Sequence, residues 1–233
     1  MDFSAIIDLD KQLLLALNGS DSLFLDGFVK TLTAATTWIP LYLALLYLVV
    51  KNSDAVIKVI MVLAGAGLCV FIAGSLDDMI VKPLVARWRP THDSEIGMLV
   101  DIVNGYRGGN YGFFSAHASN TFSIAIFFSL LIRSRALTVS LVTWSLVNCW
   151  TRMYLGVHYP GDILCGLLWG GAVGTGVWYL YRYVHSRMFV TKDYVSSQYT
   201  STGYQIVDVD VVISVLVFTF IYAIFKACFY LFL

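Results

Sequence analysis

Long apolar runs dominate this chain and restrict what it can fold into. Six of them each reach the roughly 20 residues that a helix needs to cross a bilayer. They lie at about residues 29–50, 55–80, 113–133, 136–156, 160–182 and 209–231. Only 13% of the 233 residues are charged and 58% are hydrophobic, whereas a soluble domain carries about 25% charged residues. The sequence therefore predicts an all-α, polytopic membrane helix bundle with about six transmembrane helices.

The residues before the first run predict a helix of another kind. Apolar side chains recur at helical spacing over residues 2–18, and Asn18-Gly19 follows them. This pattern predicts an amphipathic helix on the bilayer surface; a helix packed on the edge of the bundle is an equal alternative. The chain then divides into an interfacial helix with its lead-in (1–27), a membrane core (28–182), a cytoplasmic loop (183–208) and a C-terminal transmembrane helix (209–233).

Charge and cysteine usage exclude other classes of protein. The formal net charge is zero, and there is no basic run or nucleic-acid motif, so no nucleic-acid partner is expected. The four cysteines lie inside apolar runs without a CxxC pair, which is typical of small buried hydrophobic residues. Asp77 and Asp78 are adjacent and do not share a helix face, which argues against a metal site there.

Basic residues in short loops predict the orientation. If six helices alternate, one side receives Lys51, Lys58, Arg133, Arg135, Arg182, Arg187 and Lys192. We interpret that side as cytoplasmic. The opposite side receives Lys82, Arg87, Arg89, Arg107 and Arg152. Lys82, Arg89 and Arg152 belong to the motifs described next, where their chemistry explains their position. When these three are set aside, the remaining basic residues favour the first side as cytoplasmic. Both termini are then expected to face outward.

Three short motifs place polar chemistry at the outer ends of the runs. They are Lys82-x6-Arg89-Pro90, Phe114-Ser115-Ala116-His117 and Thr151-Arg152-x5-His158-x3-Asp162. Charged groups are costly at a membrane edge and are usually kept there for function. Together the motifs supply three cations, two imidazoles, a hydroxyl and a carboxylate. This set suits the binding of a phosphate dianion and the protonation of its leaving group.

The first motif predicts a phosphate clamp. Lys82 and Arg89 are nearly two helical turns apart, and Pro83 and Pro90 predict a bent segment that brings the two cations closer together. Arginine suits bidentate contact with phosphate and lysine acts as a point charge. The alternative is a pair of ordinary cations that contact lipid headgroups.

The second motif predicts a helix start that binds an anion. Ser115 follows a glycine-rich loop, Gly105–Gly112, and is placed to cap the helix. Backbone N–H groups and the helix dipole favour negative charge at such a position. His117 lies in the first turn and suits proton transfer near neutral pH. The alternatives are a plain helix cap and a structural histidine.

The third motif is the most specific of the three. A helix is predicted to start near Pro160, which puts Asp162 in its first turn. There the carboxylate can accept a hydrogen bond from one ring nitrogen of His158 and leave the other nitrogen as a nucleophile. Arg152 closes the preceding run and faces the same pocket. An incidental cluster at the interface is the alternative.

These motifs resemble those of the type-2 phosphatidate phosphatase family, integral-membrane lipid phosphate phosphatases that share a core with vanadium haloperoxidases. The family pattern is K-x6-RP, PSGH and SR-x5-H-x3-D. The spacings agree in the first and third motifs, and the resemblance covers about residues 28–182. Phe114, Ala116 and Thr151 replace proline, glycine and serine. These changes affect the shape of the loop but remove none of the expected catalytic groups.

The resemblance implies a metal-independent enzyme without a cofactor that forms a phosphohistidine. It implies phosphate binding by Lys82, Arg89, Ser115, the Ala116 amide and Arg152. His158 would attack phosphorus, Asp162 would orient it, and His117 would protonate the leaving group and later activate water.

The expected substrate is a lipid phosphate, such as undecaprenyl diphosphate, a lipid A phosphate, phosphatidylglycerol phosphate or phosphatidate. The expected place is a bacterial inner membrane, with the active site facing the periplasm. A non-catalytic protein that binds or transports a lipid headgroup is the alternative. Vanadate-dependent oxidation is disfavoured for a site at a bilayer surface.

Overall fold

The computed structural model describes residues 3–190 and 194–229, and helices are the only extended regular elements in these ranges. The predicted all-α class is confirmed for this part of the chain. The predicted terminal segments include residues 1–2 and 230–233, and the predicted cytoplasmic loop includes residues 191–193. Lys192 is one of the basic residues from which the orientation is predicted. All of these lie outside the described residues.

The helices of the described ranges follow one another along the chain, and the longest connection, residues 86–115, lies between the fourth and fifth of them. They are α1 (Phe3–Leu17), α2 (Leu23–Thr33), α3 (Ile39–Lys51), α4 (Val56–Val85), α5 (Ala116–Ile132), α6 (Arg135–Tyr154), α7 (Pro160–Met188) and α8 (Ile206–Phe229). By length and composition α4, α7 and α8 could each cross a membrane, and α2 with Ala35–Lys51 qualifies as a bent pair. Three or four helices of the described part therefore qualify, and the count of six remains a prediction.

The first predicted run is bent rather than straight. α2 and the helical segment after it differ in direction by 67°. The last carbonyls of α2 accept hydrogen bonds from side chains: the Thr37 hydroxyl donates to Thr31 O at 2.6 Å, and the Trp38 indole donates to Leu32 O at 2.8 Å. Because these donors replace the backbone amides that would continue α2, the helix can end inside an apolar run.

The second predicted run continues beyond its expected end at residue 80. α4 reaches Val85 and contains two π-helical turns, Phe71–Ser75 and Asp77–Val81. Such turns are often found at functional sites. Ala86, with a φ of 48°, then ends the helix in a left-handed conformation. Lys82 therefore lies in the last turn of α4 and not in a loop.

Glycines allow α5 and α7 to pack with their backbones in close approach. Gly166, Gly170 and Gly174 recur every fourth residue on α7, a spacing typical of close helix pairs in membranes. A Cβ on Gly170 would lie 2.5 Å from the carbonyl oxygen of Ser119, and one on Gly174 would lie 2.5 Å from that of Ser123. This contact holds the start of α5 beside the start of α7.

We expect Gly170→Ala to lower the free energy of unfolding by about 1–3 kcal/mol, because the new methyl group forces two backbones apart. Thermal unfolding of the purified protein in detergent measures the effect. Gly176→Ala is the matched control, since a Cβ there meets nothing within 4 Å and the gain in helix propensity is the same. Equal unfolding midpoints for the two variants would contradict the role of this contact.

Residues 3–17 form α1, which packs on the bundle through its fully buried Leu14. This side chain joins Ile96, Val100 and Tyr159 in a small hydrophobic cluster. The apolar side chains of Ile6, Ile7, Leu9, Leu13 and Leu17 of α1 are exposed. The contact agrees with a helix on the edge of the bundle, and its placement on a bilayer surface remains a prediction.

The helix connections divide between two ends of the bundle. At one end, Asn52 accepts a hydrogen bond from the Gln205 amide at 2.8 Å, and Thr202 donates to Ile132 O at 2.8 Å. The last turn of α4, the first turns of α5 and α7 and the end of α6 lie at the other end. The three motifs therefore share one end of the fold.

Candidate active site

The shared end of α4, α5, α6 and α7 brings together side chains that are far apart in sequence. The buried Arg89 donates from Nη1 to Val157 O at 3.1 Å and lies 3.0 Å from Nε2 of His158. A guanidinium only donates hydrogen bonds. His158 must therefore accept at Nε2 and carry its ring proton on Nδ1.

The other ring nitrogen of His158 faces Asp162. Nδ1 lies 3.6 Å from Oδ2 of Asp162, and both side chains are at most 2% exposed. This distance is longer than the hydrogen bond that the sequence predicts. The carboxylate is occupied by other donors: the Tyr159 amide reaches Oδ2 at 3.0 Å, and Nη1 of Arg87 reaches Oδ1 at 2.7 Å.

His158 lies in the loop between α6 and α7 and is held as a neutral imidazole. Burial lowers its pKa well below the usual value, and the positive charges of Arg89, Arg152 and Lys82 lower it further. With the proton on Nδ1, the neutral imidazole carries its unshared electron pair on Nε2, where it faces Arg89. The group is therefore suited to nucleophilic attack at neutral pH.

The second motif begins α5 as predicted. Ser115 is the N-cap, and its hydroxyl accepts from the Ala118 amide at 3.4 Å. Its own amide donates to Asp162 O at 3.1 Å, which joins the starts of α5 and α7. His117 lies in the first turn, within the electrostatic reach of Arg152, His158, Lys82 and Arg89.

The replacement of the family's glycine by Ala116 is compatible with the local backbone. Ala116 is the first residue of α5, and it is not among the residues with positive φ. No glycine conformation is therefore required there. Its amide is one of the first N–H groups of the helix, which have no intrahelical partner and point toward the site.

Arg152 is 2% exposed and is held by two side chains that the sequence did not indicate. Nη1 donates to the hydroxyl of Thr33 at 2.6 Å, and Nη2 donates to the hydroxyl of Tyr106 at 3.0 Å. Burial raises the pKa of Tyr106, but Arg152 and then Arg89 outweigh burial and lower it. The only signal in the sequence was the glycine-rich loop that contains Tyr106.

Lys82 is paired with the two aspartates that precede it. Its ammonium lies 3.1 Å from Oδ2 of the buried Asp77 and also contacts Asp78. Both carboxylates therefore offset the positive charge of Lys82. Within residues 3–190 and 194–229, no group of three or more histidine, cysteine, aspartate or glutamate side chains could hold a metal ion.

The glycine-rich loop lies against Arg89. The Arg89 amide donates to Asn110 O at 3.0 Å, and the Gly112 amide donates to Arg87 O at 2.9 Å. A Cβ on Gly112 would lie 3.2 Å from Oδ2 of Asp162. A side chain at position 112 would therefore crowd the carboxylate of Asp162.

Comparisons with known proteins identify the family of this chain. The family model described as PAP2 superfamily matches residues 55–186, which include all three motifs. The chain belongs to the PAP2 superfamily. The resemblance seen in the sequence is thereby confirmed, while the roles of the individual site residues remain predictions.

Two relatives cover most of this PAP2 protein. It is 42% identical over 179 residues to the lipid A 4′-phosphatase of Bacteroides thetaiotaomicron, a match that covers 76% of this chain and 78% of that protein. It is 35% identical over 184 residues to the lipid A 4′-phosphatase of Porphyromonas gingivalis, covering 78% and 77%. With the membrane-length helices, these relatives support a bacterial membrane protein.

A solved structure shows the same fold. The chain superposes on the transmembrane PAP2-type phosphatidylglycerolphosphate phosphatase of Bacillus subtilis with a TM-score of 0.55. The likeness covers 79% of this chain and 88% of that one, at 17% sequence identity.

Proposed function

We propose that this protein is a membrane lipid phosphatase that removes the 4′-phosphate of lipid A through a phosphohistidine intermediate. The observation that carries the proposal is the placement of the buried His158, with Nε2 beside Arg89 and Nδ1 toward Asp162. The substrate class is supported by the two relatives named for this activity. We further propose an inner-membrane location, with the site facing the periplasm.

The site's cations would hold the phosphate. In this proposal the phosphoryl oxygens take hydrogen bonds from Lys82, Arg89, Ser115, the Ala116 amide and Arg152. Arg89 then turns its donors from His158 Nε2 to the phosphate, which frees the electron pair for attack. Fixed cations supply the positioning and charge stabilisation on which phosphoryl transfer mainly depends. The proposal therefore needs no metal ion.

Two imidazoles would share the chemistry. Nε2 of His158 attacks phosphorus, the P–O bond to the lipid breaks, and His117 gives a proton to the departing sugar oxygen. His117 then removes a proton from water, which attacks phosphorus and breaks the N–P bond. Inorganic phosphate leaves, and His158 regains its electron pair. The carboxylate of Asp162 stabilises the positive ring while phosphorus is attached.

Phosphate release in the presence of EDTA tests the proposal. We expect the purified protein in detergent to dephosphorylate lipid A, with mass spectrometry showing loss at the 4′ position, and orthovanadate to inhibit the reaction. Undecaprenyl diphosphate, phosphatidylglycerol phosphate and phosphatidate form the comparison panel. Binding of these lipids without phosphate release would instead favour the non-catalytic alternative. Preferred release from another lipid of the panel would contradict the lipid A assignment alone.

A further inference from the structure

A chain of charged side chains links the N-terminal helix to the candidate active site. Asp10 of α1 accepts at Oδ2 from Nη2 of Arg87 at 2.6 Å. The other terminal nitrogen of Arg87, Nη1, donates to Oδ1 of Asp162 at 2.7 Å. One guanidinium thus joins a carboxylate of α1 to the carboxylate behind His158. Asp10 lies outside the residues that the family model matches, 55–186.

Both oxygens of Asp10 are engaged. Oδ1 accepts from the Gly161 amide in the first turn of α7, at 2.7 Å. A Cβ on Gly161 would lie 2.9 Å from Oδ2 of Asp10, so the missing side chain leaves space for this carboxylate. Asp10 therefore contacts the helix that carries Asp162 as well as the arginine that holds it.

Arg87 is restrained on several sides. Its guanidinium lies over the ring of Tyr159, 4.2 Å from the centroid. Burial lowers the pKa of Arg87, but Asp162 and Asp10 outweigh burial and raise it, so the group stays charged.

α1 is anchored nearby through Lys11, which lies 3.9 Å from Asp93 and 2.5 Å from Glu95. Asp93 in turn accepts from the Tyr159 hydroxyl at 2.7 Å.

The consequence is a fixed orientation for Asp162. With Arg87 on Oδ1 and the Tyr159 amide on Oδ2, the carboxylate plane cannot turn, and Oδ2 stays 3.6 Å from Nδ1 of His158. Without Asp10, Arg87 keeps one of its two anionic partners, and its side chain is 27% exposed. The guanidinium would then be free to turn toward water.

We propose that Asp10 and Arg87 are positioning residues: Asp10 aligns Arg87, and Arg87 holds Asp162 in the orientation that supports His158. Neither is placed to touch the substrate. The inference deepens the proposed function and rests on it, because the roles of Asp162 and His158 come from there. It assigns α1 a part in catalysis in addition to any role at the membrane.

Asp10→Asn tests this directly, since it removes the charge and keeps the shape. We expect kcat to fall about tenfold, because small misplacements of catalytic groups are costly, while KM stays within about twofold because no substrate contact is lost. Asp8→Asn is the matched control: it is the same change on an exposed residue of the same helix and is expected to retain wild-type kcat.

A rapid-quench experiment with radiolabelled lipid A separates positioning from folding. The rate constant for phosphohistidine formation reports phosphoryl transfer in correctly folded molecules, and the amplitude reports how many molecules are folded. We expect Asp10→Asn to lower the rate constant at unchanged amplitude. A lower amplitude with an unchanged rate constant would show a merely structural role and overturn the proposal.

A double-mutant cycle tests the route through Arg87. In an Arg87→Gln background, adding Asp10→Asn is expected to change the rate constant by less than about twofold, because the residue through which Asp10 acts is already lost. A full tenfold effect in that background would overturn the route. If Asp10→Asn cannot be purified, Asp10→Glu replaces it. This variant moves the charge by one methylene and is expected to slow transfer several-fold at full amplitude.

Failure of this inference and failure of the proposed function give different results. A wild-type protein that releases phosphate, together with Asp10→Asn and Asp10→Glu variants of equal rate constant, overturns the positioning role alone. A wild-type protein that releases no phosphate from lipid A or from any lipid of the panel overturns both.

Discussion

His158→Ala is expected to reduce phosphate release from lipid A by about four orders of magnitude or more, because removing a nucleophile eliminates the covalent route. The structure leaves no obvious substitute at this position. His158 is the imidazole held between Arg89 and Asp162, and the second imidazole, His117, is proposed to handle the proton. Phosphate release under single-turnover conditions is the measurement.

Trapping of the phosphoenzyme complements this rate measurement. Wild-type protein quenched in alkali should retain label on histidine, and His158→Ala should retain none. His185→Ala is the matched control, since this histidine lies near the far end of α7 from the site and should keep wild-type activity. Full turnover by His158→Ala would rule out the proposed nucleophile. A wild-type protein that binds the lipid headgroup but shows no turnover would favour the non-catalytic alternative.

Arg89→Ala is expected to lower kcat/KM by about a thousandfold, the size of loss typical when a donor that stabilises transition-state charge is removed. Arg89 is buried, and its Nη1 lies 3.0 Å from the proposed nucleophile. Arg135→Ala removes the same charge from an exposed residue at the opposite end of the bundle and should have little effect. A loss of less than tenfold in Arg89→Ala would contradict its place in the phosphate clamp.

The same variant should change the dependence on pH. Arg89 is second only to burial in lowering the pKa of His158. Its removal raises that pKa, so His158 becomes protonated, and unable to attack, at a higher pH than in the wild type. We expect the acidic limb of the kcat/KM profile to move to higher pH in Arg89→Ala. A shift to lower pH would contradict this electrostatic account.

The apolar helices and the helix starts that carry the site residues could be predicted from the sequence because both depend on local signals. Apolar runs indicate helices whatever they pack against. Ser115 is the N-cap of α5 and Pro160 is the first residue of α7, as helix-start preferences predict, so His117 and Asp162 fall in first turns. The spacings within the motifs were sufficient to identify the family.

The partners of these residues depended on tertiary structure. Asp10 and Arg87 are 77 positions apart, and Arg152 and Thr33 are 119 apart. No local pattern indicates such pairs, because the distance between the side chains is set only when the helices pack. The same holds for Arg87 and Asp162, which are 75 positions apart.

The amino-acid sequence by itself determined which polar groups meet at the candidate site and on which helix ends they lie, since helix formation and capping act over a few residues. The tertiary structure alone decided how those groups are oriented, through the bend before α3, the glycine contact between α5 and α7, and the charges that α1 adds behind Asp162. Orientation follows from packing between distant segments, which short-range preferences do not encode.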